Sequence, residues 1–77
     1  MALTVPAEPM SLQELREALH LYQHELGNRL GIKQAAVSRL ERRQDMYVSH
    51  LRRVVEAMGG KLVITASFPD IDIHLNT

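Results

Sequence analysis

The sequence contains no cysteine, which excludes a disulfide framework and any thiolate metal site, and nothing in it asks for an oxidising compartment. It has no net charge, with nine Lys and Arg set against nine Asp and Glu, so the total gives no reason to expect a polyanionic partner. Long apolar runs are missing as well. The opening MALTVPAEPM has neither the basic segment nor the apolar stretch of a secretory leader, and no later run approaches the roughly 20 apolar residues that span a bilayer. These absences predict a soluble, cytoplasmic chain with no membrane role. What is there is short: 77 residues make one small domain, near the size where a single core barely offsets chain entropy. Tight helix packing or a second copy of the chain is therefore expected.

The charges are segregated along the chain. Between Lys33 and Arg53 stand Lys33, Arg39, Arg42, Arg43, Arg52 and Arg53 against only Glu41 and Asp45, a local excess of plus four, while residues 1–32 and 54–77 each carry minus two. A dipolar surface of this kind steers a polyanion toward one face. A solvated charged face would give the same count, so the distribution needs a second signal.

Residues 1–10 hold Pro6 and Pro9 without any period and read as a flexible arm. Ser11 and Glu14 then form an S-x-x-E capping box, and Leu12, Leu15 and Leu19 make the stripe of a helix to about Leu19. A second helix is predicted from about Gln23 to Leu30 and a third from about Lys33 to Arg42. Gln44 to Val48 is a loop, and Ser49 opens a fourth helix whose Leu51, Val54, Val55 and Met58 share a face until Gly59 and Gly60 stop it.

Beyond the glycines the period changes to two. Leu62, Ile64, Ala66 and Phe68 alternate with Val63, Thr65 and Ser67, and Ile71, Ile73 and Leu75 alternate with Asp72, His74 and Asn76, a hairpin turning at Phe68-Pro69-Asp70. The expected division is an arm at 1–10, a helical unit at 11–60 and a hairpin at 61–77. A lone hairpin is marginal in water, so its apolar residues Leu62, Ile64, Ala66, Ile71, Ile73 and Leu75 must meet the helices or another chain. An exposed edge pairing with its symmetry mate would make this the dimerisation element. The alternative is a hairpin that only covers the helical core.

The segment from Gln23 to Arg42, QHELGNRLGIKQAAVSRLER, carries the strongest signal. Two helices crossing steeply over a tight turn need a glycine where the backbone reverses, a small residue at the crossing, and apolar residues pinning both. Gly31, Gly27, and Leu26, Leu30, Ile32, Val37 and Leu40 fill those places. The spacing fits a DNA-reading helix-turn-helix better than an ordinary helical hairpin.

This stretch resembles the XRE, or phage-repressor-like, family of helix-turn-helix regulators over most of residues 11–60. The resemblance implies a mainly α, lambda-repressor-like bundle of four to five helices, here followed by a C-terminal β-hairpin. It places Gln23 at a phosphate anchor and Lys33, Gln34, Ala35, Ser38 and Arg39 at the groove-facing start of a recognition helix. These residue types suit that place: Gln34 can bond adenine with both ends of its amide, Arg39 can bond guanine, and Ala35 can touch a thymine methyl. Arg42, Arg43 and one of Arg52 or Arg53 suit phosphate contacts, which position without reading sequence. Arg16 and Glu41 match a structural ion pair of the family.

Some positions depart from the pattern. His20 and Arg43 stand where glycine often ends a helix, and Tyr22 and Lys33 where Thr or Ser often begins one. Gly27 replaces the family's usual alanine, so Gly27→Ala is expected to raise stability by up to about 1 kcal/mol.

The tail, with Glu41-Arg42-Arg43 and Asp45-Met46-Tyr47 followed by LRRVVEAMGGKLVITASFPD, resembles HigA-type antitoxins of type II toxin–antitoxin pairs. That resemblance implies a homodimer on a near-palindromic operator, autorepression, and neutralisation of a RelE- or HigB-like ribonuclease toxin. A stand-alone regulator without a toxin, or a toxin-binding module with little DNA binding, are the alternatives. No enzyme, metal or cofactor is expected. The predicted helix break at Leu21-Tyr22 separates His20 from His24, and no Ser/His/Asp or Cys/His set can be assembled. The first helix carries Glu14 and Glu17 on its polar face, which favours core packing over a membrane surface.

Overall fold

A computed structural model describes residues 10–75; most of the expected arm, residues 1–9, and residues 76 and 77 lie outside them. Four helices and two strands follow in order: α1 (Leu12–Ala18), α2 (Gln23–Leu30), α3 (Gln34–Glu41), α4 (Val48–Ala57), β1 (Ile64–Ser67) and β2 (Asp72–Leu75). The bundle among the described residues is thus the four-helix form, with no fifth helix.

Capping explains where α1 begins and where three helices end. The Ser11 hydroxyl accepts from the Glu14 N–H at 3.1 Å, and the Glu14 carboxylate accepts from the Ser11 N–H at 3.2 Å, satisfying two orphan donors reciprocally. At the other end, the His20 N–H reaches the Glu17 carbonyl and the Leu21 N–H the Arg16 carbonyl, with His20 left-handed at φ 58°. The same pair of bonds closes α2 around Gly31 (φ 72°) and α4 around Gly59 (φ 92°). Three helices therefore stop by one device, and His20 alone performs it with a side chain among the described residues.

The N-termini of the later helices are more open. Tyr22, Lys33 and Tyr47 cap α2, α3 and α4 without a side-chain bond to the helix; only the Glu25 carboxylate, accepting from the Tyr22 N–H at 2.9 Å, supplies half a capping box. The fourth helix starts one residue before the expected Ser49. Tyr47 takes the extended cap conformation, and its carbonyl accepts from the His50 and Leu51 N–H groups at 3.0 Å.

Leu26 of α2 and Val37 of α3 are fully buried and, with Val54 and Met58 from α4 and its end, form the core. Leu12, Leu15, Leu21, Leu30, Leu40 and Ala57 pack around it. Two residues expected in the apolar set are largely outside it: Ile32 is 36% exposed and Leu19 is 39% exposed. Each sits at a helix end, where the chain turns away from the wedge and carries the side chain with it.

The two strands pair antiparallel, with Ile64 opposite Leu75, Thr65 opposite His74, Ala66 opposite Ile73 and Ser67 opposite Asp72. Leu62, Ile64 and Ala66 are half-buried, but Ile71, Ile73 and Leu75 are 58%, 45% and 51% exposed. The hairpin stands beside α4 across an open cleft of about 520 Å³ bordered by Arg52, Glu56, Leu62, Val63, His74 and Leu75. Much of its apolar surface is thus uncovered.

Candidate nucleic-acid interface

The approach of α3 to α2 depends on Gly27. A methyl built there would lie 2.7 Å from the Ile32 carbonyl oxygen and 3.4 Å from the Val37 side chain. This corrects the expectation that Gly27→Ala stabilises. The oxygen belongs to the backbone of the turn and cannot rotate aside, so the crossing has no room for Cβ. With Val37 buried against Leu26, the opposite face of α3 is turned out: Gln34, Ala35 and Arg39 are exposed, Ser38 is half-buried, and Lys33 and Arg42 are exposed at the ends.

A polar chain supports the start of that face. The Arg16 guanidinium donates from Nε to Glu41 Oε2 at 2.6 Å and from Nη2 to Oε1 at 3.3 Å, while Nη1 donates to the Leu21 carbonyl at 2.8 Å. The hydrogen bond to Glu41 holds the Arg16 pKa above its ordinary value against the opposing effect of burial. Gln23 Nε2 donates to Glu41 Oε1 at 3.0 Å, and Gln34 Nε2 donates to Gln23 Oε1 at 3.3 Å. A carboxylate only accepts, so Gln23 must present its nitrogen to Glu41 and its oxygen to Gln34. Gln34 must then donate inward. One N–H and the oxygen of its amide remain for the outside, the two groups that adenine pairs with in the major groove.

The structure divides the remaining basic residues. Arg39 and Arg43 border a shallow slot with Ile32, Ala36 and Leu40, and Arg43 continues into a cleft with Asp45, Met46, Tyr47 and His50. Arg53 lies on the same side, around a small apolar hollow shared with Arg43 and His50. Arg52 faces the hairpin cleft instead, and its buried Nη2 has no hydrogen-bond partner among the described residues. Of the two arginines considered for phosphate, Arg53 is the one placed with Arg43.

Three contacts had no sequence signal. Tyr47, 79% exposed with His50 edge-on at 5.9 Å, stands beside Arg43 at the start of α4. Arg29 donates to the Ala57 carbonyl at 3.1 Å and ties α2 to the end of α4. Gln23 is half-buried and bonded to Glu41, so one N–H of its amide and the backbone N–H groups of α2 are what it can offer a phosphate. His20 and His24 fall on either side of the helix break, with His24 stacked on Tyr22 at 5.5 Å. Among the described residues no three His, Asp or Glu side chains gather to hold a metal ion, and no helix is long and apolar enough to cross a membrane.

A family model described as a helix-turn-helix domain matches residues 2–67. A solved structure described as "DNA bound antitoxin HigA3" is 32% identical, with a TM-score of 0.79, covering 92% of this chain and 95% of that one. A second, described as "Induced DNA bending by unique dimerization of HigA antitoxin", is also 32% identical, with a TM-score of 0.83, covering 95% of this chain and 100% of that one. No curated protein matches. The buried glycine crossing, the left-handed Gly31 turn and the outward face of α3 are what such a domain requires, and the chain belongs to the helix-turn-helix domain family, in the XRE-like group that includes the HigA antitoxins.

Proposed function

We propose that the chain is a sequence-specific DNA-binding repressor that works as a homodimer and serves as the antitoxin of a type II pair. In this reading α3 enters the major groove. Gln34 bonds an adenine, Arg39 a guanine, Ala35 meets a thymine methyl, and Ser38 sits against the groove wall. Lys33, Arg42, Arg43 and the exposed groups of Gln23 take phosphates and set the register. Two such helices about 34 Å apart read a near-palindromic operator.

The observation that carries this reading is the Gln34 amide held at 3.3 Å by Gln23. A surface glutamine with no task has no need of a fixed orientation, whereas a base-reading one loses less freedom on binding when it is already placed. The solved relatives described as a DNA-bound and a DNA-bending HigA antitoxin support the DNA partner, the dimer and the antitoxin role together. The toxin partner that fits is a small RelE- or HigB-like ribonuclease encoded beside this chain, with the pair repressing its own operon.

A gel shift on the DNA upstream of the chain's own reading frame, repeated over a range of salt, tests the repressor reading. Binding should weaken steeply as salt rises because phosphate contacts release counterions. Copurification of the neighbouring frame's product tests the antitoxin reading separately; its absence would leave a stand-alone regulator.

A further inference from the structure

One of the four histidines stands among the basic residues beside α3. His50 borders the cleft at the start of α4 with Arg43, Asp45 and Tyr47, and the small apolar hollow with Arg43 and Arg53. Arg43 and His50 are the two residues that both spaces share. The other histidines lie elsewhere: His20 beside Glu17 and Tyr22, His24 stacked on Tyr22, and His74 on β2 against Thr65.

The surroundings of the imidazole leave it open to an anion. His50, Arg43, Asp45 and Arg53 are all exposed. The end of α2, the turn and α3 present only the apolar Leu30, Ile32 and Leu40 to the hollow. The charged groups that face His50 are therefore Arg43 and Asp45 from the loop before α4 and Arg53 from α4 itself, with the Tyr47 phenol beside them. Asp45 makes no ion pair there, since Arg16 with Glu41 is the one pair among the described residues. Tyr47 meets the imidazole edge-on at 5.9 Å, which limits how far the ring can turn away.

Resting on the DNA-binding reading above, we propose that His50 is a further phosphate-contacting residue, engaged in its protonated form, so that each subunit takes up a proton as it binds DNA. A neutral imidazole offers a phosphate one N–H, whereas the imidazolium offers two and a full positive charge. A neighbouring phosphate favours that charged form. By linkage, whatever favours the charged form then favours the phosphate equally. Arginines alone would hold affinity level with pH, because a guanidinium stays charged throughout. An imidazole ordinarily changes charge near pH 6.5, roughly the middle of the physiological range. The contact is thus present at the acidic end and lost as pH rises.

Fluorescence anisotropy on the fragment upstream of the reading frame, from about pH 5.5 to about pH 7.5 at several salt concentrations, reads this linkage. Toward the acidic end native affinity should rise about fivefold or more per subunit. The slope of log affinity against log salt should steepen there by about 0.9 per subunit, the mark of an added phosphate contact. A packing role for His50 would not move that slope with pH. His50→Gln should flatten both responses, and His24→Gln should keep both. His50→Lys should hold the acidic-end affinity at every pH, because its charge does not titrate in this range. Native binding that depends on salt but not on pH would overturn the role of His50 and leave the DNA reading standing. A pH profile that survives His50→Gln, or disappears in His24→Gln, would overturn it as well. Absence of native binding at every pH would remove the DNA reading and the His50 contact together.

Discussion

The Arg16 guanidinium and the Glu41 carboxylate, 25 positions apart, meet at 2.6 Å with side chains only 9% and 2% exposed. The pair joins the first helix to the end of α3 and is also the root of the chain of amides that ends at Gln34. Each partner is costly to bury alone. Glu41→Ala should therefore destabilise the chain by roughly 3–5 kcal/mol, read by urea denaturation, because it leaves a buried guanidinium uncompensated. Replacing Arg16 and Glu41 together by Met should cost far less than either single change. A single-site loss under about 1 kcal/mol would mean that water already solvates the pair.

His20 holds a left-handed conformation that costs an L-residue roughly 1–2 kcal/mol. His20→Gly removes that strain and should raise the melting temperature by several degrees, about 4–8 °C per kcal/mol for a domain of this size. An unchanged melting temperature would show that the imidazole makes a contact that offsets the strain.

Gly27→Ala should act in the opposite sense. The added methyl would meet the Ile32 carbonyl oxygen at 2.7 Å, and parting α2 from α3 should cost about 1–3 kcal/mol. The same widening would shift α3, so DNA affinity should fall with stability. A melting temperature equal to or above that of the native chain contradicts the crossing geometry.

The helical part was legible in the sequence to the residue at several points. Gln23–Leu30 was the expected second helix and is α2, because a glycine past its end and the leucines four apart left little freedom. His20 was visible as a misfit at a glycine position for the same reason. The sign at Gly27 was not legible, since helix propensity counts the backbone of one helix and the obstruction comes from the turn that follows it. The bond from Gln23 to Glu41 was equally hidden: it joins residues 18 positions apart, and only the fold brings them together. For the hairpin, alternation gave the strands and their apolar face, but not that Ile71, Ile73 and Leu75 stay uncovered while Ile64 does not.

On DNA, Arg39→Ala and Arg43→Ala should differ in kind. The first removes the proposed base-edge contact and should relax preference at one position, costing about 1–3 kcal/mol there. The second removes the proposed phosphate contact, and should lower affinity for all sequences while reducing the slope of log affinity against log salt by about 0.9 for each subunit's lost contact. Identical effects of the two variants on preference would show that Arg39 does not face the bases.

The central claim is that α3 reads bases through an amide placed by Gln23. The most direct measurement is a fluorescence-anisotropy titration of the native chain and of Gln34→Ala against the upstream fragment and a panel in which each A·T pair is replaced in turn. The native chain should lose about 5- to 150-fold in affinity at one symmetry-related A·T position, corresponding to about 1–3 kcal/mol for a bidentate contact, and Gln34→Ala should be indifferent to that position alone. Undiminished discrimination by Gln34→Ala at every A·T pair, or equal binding of the native chain to the whole panel, would contradict it.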